Sequence, residues 1–170
     1  MILGMSTATF TLVHVVISLI GILSGLIVLF GMFGSKRLES WTAGFLATTV
    51  LTSMTGFFFH SEKIGPPHVV GAISLVVLAV AIIALYVRRL AGSWRWIYVS
   101  TAVLALYLNV FVGVVQAFLK IPFVNALAPT QTEPPFAVAQ GVVLLLFVAL
   151  GIVAVRSFHP EAKATRLSPA

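Results

Sequence analysis

Residues 8–37 read ATFTLVHVVISLIGILSGLIVLFGMFGSKR. No Asp, Glu, Lys or Arg occurs from Ala8 to Phe33, and the run closes on Gly34, Ser35, Lys36 and Arg37. Lipid offers a backbone no hydrogen-bond partner, so a helix needs about 20 mainly apolar residues to cross a bilayer. This stretch exceeds that length. Its flank, residues 1–9, carries no Lys or Arg, and no small-x-small cleavage site follows, so it reads as a mature helix rather than a signal peptide.

Four further stretches repeat the pattern of a long apolar run stopped by charge or proline. Residues 41–59 are closed by His60, Ser61, Glu62 and Lys63, and residues 67–87 are stopped by Arg88 and Arg89. Residues 96–119 are closed by Lys120 and Pro122, and residues 135–155 by Arg156. Pro67 and Pro135 sit at helix starts, where a missing N–H costs nothing. The expected fold is an all-α integral membrane five-helix bundle. Its spans cover about 8–33, 41–59, 67–87, 96–119 and 135–155 within a domain of residues 1–158, followed by a short tail, 159–170.

Composition agrees. Of 170 residues, 60% are hydrophobic and 8% charged, with a mean hydropathy of +1.13. Soluble domains are about 25% charged, so too few charges remain to coat a water-facing surface. Disorder is excluded by the abundance of apolar residues. With no cysteine, the chain has no disulfide, thiolate metal site or cysteine nucleophile.

Orientation follows from Lys and Arg in the short loops. Lys36, Arg37, Arg88, Arg89, Arg95, Arg156, Lys163 and Arg166 fall on one side, and only Lys63 and Lys120 on the other. The expected N-terminus is therefore outside and the C-terminus cytoplasmic. Trp41, Trp94, Trp96 and Tyr98 fall at the cytoplasmic helix ends, where amphipathic rings prefer to lie. The net charge of +6 reflects this asymmetry and needs no nucleic-acid partner.

Polar residues inside the spans are spaced helically. His14, Ser18, Gly21 and Gly25 share one stripe, and Gly21 and Gly25 form a GxxxG pattern that lets a second backbone approach closely. Thr49, Ser53, Gly56 and His60 repeat the spacing, flanked by Thr48, Thr52 and Thr55, as do Asn109, Gly113, Gln116 and Lys120. At about 1.5 Å per residue, His14, Gln116 and Gln140 should lie at similar depth below the outer boundary. These residues predict an outward-facing polar pocket built from His14, Ser18, Asn109, Gln116 and Gln140. Its roof would be residues 123–136, whose Pro-rich part is expected to be extended. The alternative is packing alone, since small and hydroxyl residues also hold membrane helices together.

An intramembrane His commonly faces a cavity or partner. A haem b would need a second axial histidine at the depth of His14, but His60 and His68 sit about two turns shallower. His60, Glu62 and His68 are candidate metal ligands, although their spacing matches no tight ligand motif. A quinone or lipid headgroup needs only a hydrogen-bonding His, Gln or Asn beside an apolar slot. No Asp or Glu lies within a span, so the acidic relay of many transporters is missing. No phosphate-binding loop or nucleophile–base–acid set is visible.

Residues 106–112 (LYLNVFV), with Gln116, Lys120 and residues 128–136, resemble an uncharacterised family of small bacterial multipass inner-membrane proteins. That resemblance implies a bacterial inner-membrane location and assigns no chemistry. Size and layout are also similar to the tryptophan-rich sensory proteins, whose aromatic-rich motifs are absent. The expected function is non-enzymatic: binding a small hydrophobic or redox ligand (quinone, haem or lipid) in the outward pocket. The alternatives are a structural or assembly subunit docking on a larger membrane complex or a second copy through GxxxG, and a small transporter along the Thr-rich second span.

Overall fold

A computed structural model describes residues 4–59 and 65–160. The order is α1 (Thr7–Phe33), α2 (Glu39–Gly56), α3 (Pro66–Ile82, continued by a π-helical turn, Ile83–Val87), α4 (Trp94–Lys120), the single turn α5 (Pro122–Asn125) and α6 (Pro134–Ser157). Among the described residues there is no strand. Four helical segments are long and apolar enough to cross a bilayer: Thr7–Phe33, Pro67–Val87, Trp94–Lys120 and Pro134–Ser157. The chain is a multi-pass, all-helical membrane protein. The five expected runs all form helices, but α2 is not among the four; seven of its 18 residues are Thr or Ser.

Local chemistry explains the boundaries. Ser6 caps α1 by accepting the Thr9 N–H at 3.1 Å, and prolines occupy the first turns of α3 and α6. The C-terminus of α1 is a Schellman turn, in which Ser35 N–H donates to Met32 O and Lys36 N–H to Gly31 O. Ser35 takes the left-handed position (φ 55°) that glycine usually fills, and this sharp reversal sends α2 back antiparallel along α1. Residues 128–133 run through turns and bends rather than the extended conformation expected of a Pro-rich roof. Asn125 Nδ2 donates to Phe118 O, and Gln131 Nε2 to Val115 O, so side chains fold the connection into turns against α4.

Contacts between helices give the register. On α1 and α2, His14 meets Thr55 and Gly21 meets Thr48 and Thr49, while Gly25 meets Phe45. On α1 and α4, Gly21 meets Asn109 and Gly25 meets Leu106. On α4 and α6, Phe111 meets Gln140 and Tyr107 meets Phe147. Rising numbers pair with falling ones in every case, so α1 and α2, α1 and α4, and α4 and α6 are antiparallel pairs. Lys36, Arg37, Arg88, Arg89, Arg95 and Arg156 therefore gather at one end of the bundle, and Lys120 lies at the other. The apolar core, including Leu29, Met32, Phe45, Leu78, Val99 and Leu106, fills the half nearer the basic end. The other half is where the polar side chains meet.

Candidate functional site: a polar seam between α1, α2 and α4

The seam starts at His14. Its Nδ1 lies 2.7 Å from Thr55 Oγ1, and its ring packs edge-on against Phe59, 5.1 Å between centroids. Thr55 Oγ1 also lies 2.7 Å from Leu51 O, to which it donates its single proton. We therefore assign the proton of the His14–Thr55 bond to Nδ1, with Thr55 accepting. Nε2 is left with a lone pair. Ser18, one turn further, donates to His14 O at 2.8 Å, so its hydroxyl is spent on its own helix.

Two turns beyond His14, the three helices close on Gly21. A Cβ at Gly21 would lie 3.0 Å from Asn109 Nδ2 and 3.3 Å from the hydroxyl oxygens of Thr48 and Thr49. Glycine lets polar side chains from two other helices approach its backbone closely, and any larger residue would need them to shift by a few tenths of an ångström. Thr48 donates to Gly44 O. Asn109 Nδ2, Thr49 Oγ1 and Thr52 Oγ1 are buried and find no partner among the described residues. Leaving such a group unpaired costs roughly 1–3 kcal/mol. One turn deeper the seam ends: a Cβ at Gly25 would lie 2.6 Å from Leu106 Cδ1 and 2.8 Å from Phe45 Cδ2. The seam is thus a polar column, about 10 Å from His14 to Gly21 at 1.5 Å per residue, stopped at its deep end by an apolar plug.

The predicted residues separate into two groups. His14, Ser18 and Asn109 lie along the seam, and the α1–α4 register sets half-buried Gln116 level with His14. Gln140 lies elsewhere: its Nε2 donates to Phe111 O at 3.2 Å, on the α4 face turned to α6. Residues 109 and 111 are about 200° apart around a helix, so Asn109 and Gln140 do not share a pocket. Gln140 Oε1 is also buried without a partner among the described residues.

His68 accepts the Gly65 N–H on Nδ1 at 3.4 Å and packs on Phe57, which is a capping role at the start of α3. His60 and Glu62 lie outside the described residues. Among the described residues no group of three or more His, Cys, Asp or Glu comes together to hold a metal. The GxxxG pattern is buried against the chain's own α2 and α4, so it offers no face to a partner or second copy.

Thr49, a member of the second-span stripe, and Thr52, which flanks it, were not among the expected pocket residues. Their signal was present: two hydroxyls four and seven residues from Phe45 on a helix otherwise short of apolar side chains. Tyr98, in the second turn of α4 at the basic end, is buried at 2% exposure and packs on Phe158. The chain matches no protein-family model, no curated protein and no solved structure.

Proposed function

We propose that the chain is a non-enzymatic five-span protein of a bacterial inner membrane, N-terminus outside and C-terminus cytoplasmic. In this reading it holds a small apolar ligand bearing carbonyl-type acceptors, a quinone or a lipid, in the seam between α1, α2 and α4. Six cations at one bundle end against Lys120 at the other support the orientation. The antiparallel course of α2 between α1 and α3 supports counting it as a span, with its hydroxyls turned to protein.

One observation carries the ligand reading. Asn109 Nδ2, Thr49 Oγ1 and Thr52 Oγ1 are three buried polar atoms with no hydrogen-bond partner among the described residues. The Asn109 amide N–H calls for an acceptor, the two threonine hydroxyls can also donate to one, and the lone pair of His14 Nε2 adds a site for a hydroxyl such as that of a reduced quinone. Haem b fits less well. His68 uses its Nδ1 to cap the Gly65 N–H at the start of α3, and His60 lies outside the described residues.

The test is extraction of the full chain, purified gently from cell membranes. Mass spectrometry of the extract should find a carbonyl-bearing isoprenoid or acyl compound at about one equivalent, with no Soret band in the absorption spectrum. An extract with no such compound overturns the reading, and a Soret band replaces it with haem.

A further inference from the structure

A second site lies at the basic end of the bundle, about five turns of α4 away from His14's level and independent of the seam. A cavity of about 230 Å³ opens there between the α1–α2 turn, the π-helical turn after α3, the start of α4 and Phe158. Its walls divide by chemistry. Val28, Met32, Leu85 and Phe158 form the apolar side, and Lys36, Arg37, Glu39, Tyr86 and the interacting pair Thr42 and Tyr98 form the polar side. Two cations face one carboxylate, so the cavity carries net positive charge.

The backbone around it is specialised to hold those groups. Ser35 is in the left-handed region, and the Schellman turn folds Lys36 and Arg37 back over the end of α1. Leu38 packs onto Gly31, where a Cβ would lie 2.6 Å from Leu38 Cδ1, and this fixes the turn. Ser35 Oγ accepts the His159 N–H at 2.8 Å, while Arg95 Nη1 donates to Val155 O and Phe158 O, which fixes Phe158 as a wall. The π-helical turn Ile83–Val87 contributes Leu85 and Tyr86. Strained residues and π-helical turns gather at functional sites; here the π-helical turn lines the cavity and Ser35 directly precedes its Lys36 and Arg37 wall.

We propose that this cavity binds an anionic phosphate group, with Lys36 and Arg37 as its cationic partners and Tyr98, Thr42 and Tyr86 as hydroxyl partners. The volume is below the roughly 300–1,000 Å³ of sites for drug-sized ligands, so it admits a headgroup and not a whole lipid. The apolar wall suits the first carbons of an attached chain. Both a phospholipid headgroup and a free phosphate have this chemistry.

The experiment is thermal unfolding of the full chain in an uncharged maltoside detergent, followed by circular dichroism. It is titrated separately with dioleoylphosphatidylglycerol, inorganic phosphate and uncharged dioleoylglycerol. Phosphatidylglycerol should raise the midpoint saturably and dioleoylglycerol should not. The Lys36→Gln/Arg37→Gln variant should need at least about tenfold more of the anion, the equivalent of one lost charge-assisted hydrogen bond. A charge-matched control, Arg89→Gln/Arg156→Gln, removes two cations of the same end from outside this cavity and should titrate like the parent chain. A saturable rise with inorganic phosphate identifies a free anion as sufficient, and its absence assigns the site to lipid; either supports the phosphate site. No saturable rise with either anion, an equal loss in both variants, or the same rise with dioleoylglycerol overturns it.

Discussion

Helices α2 and α6 are held in the same bundle by different means. α2 is short and rich in hydroxyls, and it packs by close approach: Phe45 and Thr49 press on glycines of α1, and Ser53 donates to Ser74 of α3 at 3.0 Å. α6 is longer and apolar, yet only Phe147 and Ala154 of its 24 residues are buried. It is fastened by Gln140 to Phe111 O near one end and by Arg95 at the other. Between those points an apolar groove of about 410 Å³ lies along α4, with Tyr107, Phe147 and Gly151 in its walls. Lipid removes most of the hydrophobic drive for helices to associate, so close backbone contact and hydrogen bonds decide which helices are tightly held. By that measure α2 is the specific interface and α6 the adaptable one.

Glycine substitutions separate the two most strongly. Gly25→Ala should destabilise by about 1–3 kcal/mol, because its Cβ would overlap the buried Leu106 and Phe45 side chains. Gly141→Ala in α6 meets nothing within 4 Å and should stabilise by roughly 0.5–1 kcal/mol through helix propensity. Unfolding in mixed micelles with increasing dodecyl sulfate, read by circular dichroism, measures both. Equal effects at the two positions would erase the contrast.

Next in size, Arg95→Ala should cost about 1–2 kcal/mol by freeing the carbonyls of Val155 and Phe158. The loss should be local. Hydrogen exchange should rise in the last two turns of α6 while α1 and α2 stay protected, and a uniform rise would mean that α6 is as integral as α2.

The smallest effect concerns the start of α6. Desolvation pushes the Glu133 carboxyl up, but hydrogen bonds with its own backbone and from Thr130 and Thr132 outweigh it and hold its pKa below the ordinary 4.5. A lowered native pKa stabilises the folded form above pH 4.5, and that contribution is lost as the pH falls toward the native value. Glu133→Gln should therefore fray the first turn of α6 near neutral pH and match the parent chain in strong acid, as amide exchange at residues 134–138 would show.

Much of this architecture is legible in the sequence, for particular reasons. The apolar runs end in Arg pairs, lysines or prolines, and α1, α4 and α6 begin within two residues of the expected positions. The stripe from His14 to Gly25 faces inward because lipid accepts the residues on its other sides. What could not be read is which helix faces which. Gln140 matches His14 in depth yet points to the other side of α4, because depth fixes distance along the bundle and not azimuth. The membrane count of α2 is obscured by its hydroxyls, whose cost depends on partners in other helices, such as Ser74 and His14. The basic-end cavity draws on five separate segments, and no spacing along the chain marks it. The Pro-rich connection folds into turns because Asn125, Gln131 and Glu133 supply the hydrogen bonds that an extended segment would leave to water.

The contrast between the seam and the α6 face has one decisive measurement: the extracted ligand content and unfolding free energy of Asn109→Leu beside those of Gln140→Leu. If Asn109 is retained to donate to a bound acceptor, Asn109→Leu should lose the co-purifying compound while the stripped protein is unchanged or up to about 1 kcal/mol more stable, since an unpaired amide has been removed. Gln140→Leu should keep the compound and lose about 1 kcal/mol through its bond to Phe111 O. An Asn109→Leu protein that keeps its full complement of the compound and is less stable by 2 kcal/mol or so would make Asn109 interhelical glue, and the seam would be packing alone.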